Sequence, residues 1–156
     1  MGISPLKIQF VLAVVAKRIM SKSLWERKLD VYKTWGWSDK EVLAAFSKCP
    51  WCMIASVDKI TAAMDFFVNK MGWDSSIISV RPVLITMSLE KRLIPRAAVI
   101  QFLLSKGLIN KKINSLTYMF ECPENTFLQK SVNSYDEAPQ LLKLYQEKLN
   151  LSEKAK

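Results

Sequence analysis

Trp35-Gly36-Trp37-Ser38 and Met71-Gly72-Trp73-Asp74 are two copies of one phrase, 36 residues apart, in a chain that holds only four glycines. Glycine ends a helix in the left-handed conformation, because it has no Cβ to clash. An apolar residue just after it packs back on the last turn. Ser or Asp then accepts the free N–H groups of the next helix. The phrase therefore encodes a compact joint: one helix ends, the joint is covered, another helix begins. Gly107 follows 35 residues after Gly72 and is the third joint. A joint recurring every 35 or so residues predicts a helical-repeat array.

Prolines keep the same period. Pro50 is followed eight residues on by Asp58-Lys59, and Pro82 eight residues on by Glu90-Lys91. Each acidic-basic pair opens an apolar helical pattern. The unit reads as glycine joint, short helix, proline turn, longer helix. Units are expected at about 36–71, 72–106 and, degenerate, 107–133, with a capping helix at 134–149 and a disordered tail at 151–156. Pro123 stands in the third unit without a following acidic-basic pair.

The spacing predicts each helix in turn. Ser4 and Pro5 suit the start of a first helix, with Leu6, Phe10, Ala13 and Val14 on one face. Capping boxes are expected at Ser23/Glu26 and Ser38/Glu41, and a further start signal at Ser134/Glu137. Trp25, Leu29 and Tyr32, then Val42, Leu43 and Phe46, are expected to point inward. Ser56, Asp74 and Ser88 are expected caps. Ile60, Met64 and Phe67 recur at helical spacing after Ser56, and Leu93, Ala97 and Ile100 after Ser88. Ala138, Leu141, Leu142, Tyr145 and Leu149 line a final helix. Pro95 lies inside its pattern and should kink or split that helix. No segment alternates with period two for long. The fold class is all-α, an α-solenoid of stacked helix units over 5–150.

The runs Met20-Ser-Lys-Ser-Leu-Trp-Glu-Arg-Lys28, Trp35-Gly-Trp-Ser38, Lys48-Cys-Pro-Trp-Cys-Met53 and Ser88-Leu-Glu-Lys-Arg-Leu-Ile-Pro-Arg96 resemble the mTERF family, the mitochondrial transcription termination factors, and most of all its land-plant branch. The resemblance covers about 5–150. It implies a helical-repeat protein that acts in organelle gene expression, in a mitochondrion or a chloroplast, by binding duplex DNA or RNA during transcription termination or RNA processing. Such proteins usually carry a transit peptide. None is visible here, which suggests a fragment or a short member.

Composition agrees with an anionic partner. The net charge is +9, with no histidine. Residues 1–120 hold 18 Lys/Arg against 8 Asp/Glu, or +10, and residues 121–156 hold 5 against 6, or −1. A basic body with a neutral end suits nucleic acid bound by the repeats. The absence of histidine removes Ser-His and Cys-His catalysis and histidine metal sites. The carboxylates sit at helix starts, where the dipole favours them, and form no catalytic pair. No catalytic, cofactor or metal site is expected. Three cysteines suit a reducing compartment. Cys49-Pro50-Trp51-Cys52 looks like a redox dithiol, yet it follows a helix rather than a strand and carries the repeat proline, so packing is its expected role. Trp37 and Trp73 are explained by their joints; Trp51 is not. The apolar run Ile8–Ala16 is far short of a membrane span. A monomer without membrane contact is expected.

Six basic residues are the candidate nucleic-acid contacts. Lys59 and Lys91 stand in the first turns of the two long helices, where positive charge opposes the helix dipole. A penalty repeated in phase implies a use. Lys48 and Arg81 stand within two residues of the repeat prolines. Arg92 and Arg96 are four apart and share a face. Together they would form one basic stripe, each unit adding a phosphate contact. The alternative is a scaffold of the same architecture that binds protein, for which an exposed apolar groove would speak.

Overall fold

The computed structural model describes residues 8–154, and within them the secondary structure is helical throughout, with no strand. The expected start at Ser4 and Pro5, and Leu6, lie outside the described residues. The chain packs as two compact units, Met1–Thr86 and Met87–Lys156. That division falls within the expected 72–106 repeat, just before its long helix.

The first unit opens with α1, Ile8–Ile19. Two helix triplets follow. The first is α2 (Lys22–Thr34), α3 (Asp39–Lys48) and α4 (Trp51–Ile54). The second is α5 (Val57–Asp65, prolonged by a π-helical turn, Phe66–Lys70), α6 (Ser75–Val80) and α7 (Val83–Thr86). Each triplet reads long, shorter, shortest. Equivalent helices lie side by side: α2 on α5, α3 on α6 and α4 on α7. That is the stacking of a helical-repeat solenoid, in which each repeat buries the face its neighbour leaves open.

The joints form as the glycines require. Gly36, Gly72 and Gly107 have φ of 88°, 70° and 69°. At the first, the Gly36 N–H donates to Lys33 O and the Trp37 N–H to Tyr32 O, the paired closure of a Schellman end. Trp37 then stacks on Tyr32 at 4.6 Å between ring centroids. Trp73 stacks on Phe67 at 5.2 Å. Leu108 takes the same place after Gly107, its N–H donating to Leu103 O. Both joint tryptophans are buried core.

Caps follow the sequence in most places. Ser38 and Glu41 make a reciprocal capping box, and Ser56, Asp74 and Ser88 each accept the expected backbone N–H. Two expected starts move. The cap of α2 is Ser21, which accepts from Leu24 N–H; Ser23 lies inside the helix. Ser134 donates to Gln129 O and closes the preceding turn instead of opening α11. Three residues expected to face inward are exposed, Leu43, Val14 and Leu142; the inner face of α1 is Ala13 and Ala16. The small alanines let α1 lie close across α3 and α4.

The second unit begins with a π-helical turn, Leu89–Leu93, that leads into α8, Ile94–Ser105. Pro95 divides the helix here, as expected. The wider turn, with Leu93 N–H reaching back to Ser88 O, accommodates a ring that would clash in a continuous α-helix. Next come α9 (Ile113–Glu121), α10 (Glu124–Phe127), a third π turn (Leu128–Val132) and α11 (Ala138–Lys154). The last helix runs past Asn150, where the polar tail was expected. Val99, Leu103, Phe127, Val132, Leu141 and Tyr145 form this unit's core.

Candidate nucleic-acid interface

Each candidate cation is placed by a helix end, and the ends decide what it can do. The last carbonyls of a helix lack intrahelical partners and carry partial negative charge. A cation that reaches them satisfies both the hydrogen bonds and the dipole.

Arg92 and Arg96 are held on the C-terminus of α9. Arg92 donates from Nε to Phe120 O at 3.0 Å, and from Nη2 to Glu121 O at 2.8 Å and Cys122 O at 2.7 Å. Arg96 donates from Nη1 to Met119 O, Phe120 O and Cys122 O at 2.9, 3.0 and 2.7 Å. Its guanidinium also lies over the Phe127 ring, 4.6 Å from the centroid, a cation–π contact. Arg96 is 1% exposed. Burial, and then the neighbouring Arg92 charge, pull its pKa below the ordinary arginine value. The shared face inferred from the four-residue spacing is real, but it points inward. Arg96 is therefore removed from the phosphate-contacting set, because its charge is buried. Arg92 is half-buried, with three donor contacts committed to carbonyls, and is removed with it.

Lys59 has a comparable use. Its Nζ donates to Thr86 O at 2.8 Å, on the last turn of α7. The in-phase lysine that opposes its own helix dipole thus serves the C-terminus of the last helix in its own triplet. Its side chain remains exposed. Lys48 is exposed at the end of α3, with Nζ 3.5 Å from Val80 O, a long and weak contact. Arg81 and Lys91 are exposed. The Lys91 backbone N–H donates to the capping Ser88 Oγ at 3.2 Å.

A further cation of this kind escaped the sequence reading. Lys28 is 4% exposed, and its Nζ donates to Met53 O at 2.7 Å and Ile54 O at 3.3 Å. Beside it the Tyr32 hydroxyl donates to Cys52 O at 2.6 Å. Burial lowers the Lys28 pKa from its ordinary value. The available signal was positional: Lys28 stands three residues after Trp25 and four before Tyr32, on the inward stripe.

The Cys49-Pro50-Trp51-Cys52 segment is built for packing. Burial pushes the Cys52 thiol up to about 12, and raises the half-buried Cys49 thiol too. Neither is an activated thiolate at neutral pH. Trp51, by contrast, is 49% exposed, and it is the one tryptophan of five in that class.

Repeated helix triplets, glycine joints closed by stacked tryptophans and helix ends held by basic side chains define a helical-repeat protein of the α-solenoid class. The mTERF family model matches residues 2–128, and the chain belongs to that family. No protein of curated function and no solved structure matches it.

Proposed function

We propose that this protein binds nucleic acid, duplex DNA or RNA, and regulates gene expression in a mitochondrion or chloroplast, through transcription termination or RNA processing. The observation that carries the reading is the family match over residues 2–128. The charge supports it: +10 over residues 1–120, with Lys48, Lys59, Arg81 and Lys91 exposed beside the repeat prolines or in the first turns of the long helices. The mechanism is electrostatic. Lys and Arg neutralise phosphates, and release of condensed counterions supplies most of the affinity. Two of these contacts, Lys48 and Lys59, fall in the repeat at 36–71 and two, Arg81 and Lys91, in the repeat at 72–106.

A salt titration of binding to duplex DNA, single-stranded DNA and RNA of one sequence tests it. Four phosphate contacts on duplex DNA give a slope of log K against log salt of about −3.5. The combined variant K48A/K59A/R81A/K91A should flatten the slope and leave the helical circular dichroism intact. An unchanged slope would sink this assignment of contacts.

A protein-binding scaffold is the second reading, and one observation favours it. Val11, Val15 and Ile19 form an exposed apolar row on α1, with Ile19 at 68% exposure. Absence of binding to all three nucleic acids at low salt would select it.

A further inference from the structure

We infer that the two proline joints of the first unit form a site for unpaired RNA bases, with Trp51 as the stacking platform. The inference rests on the nucleic-acid reading above and specifies the ligand. Three observations on the first unit meet here. First, Trp51 is half exposed, whereas every other tryptophan is at least partly packed. Second, Trp51 and Val83 are equivalent: each follows its repeat proline and opens its short helix, α4 or α7, and those helices lie side by side. Val83 and Val80 are exposed too, Val80 at 58%. The joint thus shows an aromatic face next to apolar surface. Third, the surroundings are cationic. Lys48 reaches Val80 O across the two joints, Arg81 is exposed beside it, and neither 47–57 nor 75–89 contains an Asp or Glu.

A solvent-facing indole costs an isolated protein solubility and contributes little to folding. Beside Lys48 and Arg81, it suits a base whose phosphates lie on Lys48. Stacking requires a base that is not already sandwiched in a duplex. RNA offers such bases in loops, bulges and ends, whereas duplex DNA must first be opened. Stacking on an aromatic side chain is sequence-tolerant, so the site reads strandedness rather than sequence.

The test compares W51A, W51F and K48A with the wild type on a 12-nucleotide single-stranded RNA, the same sequence as single-stranded DNA, and its duplex. Loss of one stacked base corresponds to roughly 5- to 150-fold in affinity. W51A should weaken RNA binding within that range, leave duplex affinity within about twofold and leave the salt slope unchanged, since stacking releases no counterions. K48A should instead flatten the slope by about 0.7. W51F should retain most of the affinity but lose the RNA-induced quenching of tryptophan emission, which gives a readout even if W51A folds poorly. Equal losses on RNA and duplex, an unaffected W51A, or wild-type emission that RNA does not quench would each overturn the site while leaving duplex binding standing. Tighter binding of single-stranded DNA than RNA would overturn the choice of RNA. Failure of the wild type to bind any of the three ligands would overturn the parent reading itself.

Discussion

Arg96 shows how a residue's chemistry is settled by what it can reach. A guanidinium is planar, permanently charged and forked, and it serves a phosphate or a helix end equally well. Here the helix end takes it. Three carbonyl bonds and a ring contact hold it in the core. Hydrogen bonds to charged groups contribute about 1.5–3 kcal/mol net, so Arg96→Ala should destabilise the protein by about 3 kcal/mol in urea unfolding. Arg96→Lys keeps the charge and loses the fork, and should recover less than half of that loss. The sequence could not reveal this, because the acceptors are main-chain carbonyls 23 to 26 residues away, and a carbonyl leaves no mark in the sequence. Glycine is the opposite case. Gly36 and Gly72 were legible because their requirement is intrinsic. No atom lies closer than 3.8 Å to a Cβ built at Gly36, so Gly36→Ala meets backbone strain alone, about 1–2 kcal/mol. Gly36→Asn should cost less, since asparagine tolerates the left-handed region. Thermal melts of the two variants decide the order.

Cys52 gives the same scale a pH dependence. Its folded pKa, about 12, lies above the ordinary thiol value of 9.0, with burial as the main cause. Between those values the folded state binds the proton more tightly than the unfolded state. Stability is therefore intact below pH 9 and falls as pH rises toward 12, at up to about 1.4 kcal/mol per pH unit. Tyr32, also raised by burial, adds to the fall above pH 10. Comparing urea midpoints of the wild type and C52A across pH 8–11 isolates the thiol: the variant should lose part of the slope. Parallel curves would refute the assignment.

At the level of elements, the sequence supplied the helix starts and the joints, and it missed the π turns. Caps and closing glycines are side-chain or backbone choices at single positions, visible one residue at a time. A π turn is one additional residue in the hydrogen-bonded ring, and a hydrophobic pattern absorbs it without a break. Its trace lies in the spacing of stacked rings: Tyr32 is five residues before Trp37, but Phe67 is six before Trp73. The turn Phe66–Lys70 accounts for the additional one. Deleting the exposed Asn69 should restore the five-residue spacing and preserve a cooperative thermal transition. Deleting Ala62, which lies upstream of Met64 and Phe67, should abolish cooperativity by rotating Ile60 against them. Equal damage from both deletions would show that the turn is not an insertion. Displaced caps have a similar origin. Ser21 and Ser23 both satisfy the local rule, and their hydroxyls lie 3.1 Å apart. The choice between them follows from packing of α2, not from the local motif.

Across the whole molecule, the repeat period and the helical class could be read from the glycines, and the family match extends over residues 2–128. The allocation of charge could not. A basic stripe inferred from +10 over residues 1–120 divides into cations held on helix ends and cations left in solvent. Arg92 and Arg96 are withdrawn from a partner in this way, whereas Lys59 touches a helix end and still stays exposed. The kind that reaches a helix end has a further consequence for how the chain is made. Lys28 takes its place in the core against carbonyls of Met53 and Ile54, and Lys59 reaches Thr86. Each cation leaves the ribosome some 25 residues ahead of the carbonyl oxygens that accept its hydrogen bonds. A growing chain therefore lacks the acceptors for these ammonium groups until the following short helix emerges, and its stability should climb in steps rather than smoothly. A fragment ending at Thr86 should unfold cooperatively, whereas one ending at Pro50 should not, and stalled nascent chains should resist protease in jumps near those lengths. Each repeat is in this sense a lock closed by the arrival of the next stretch of chain.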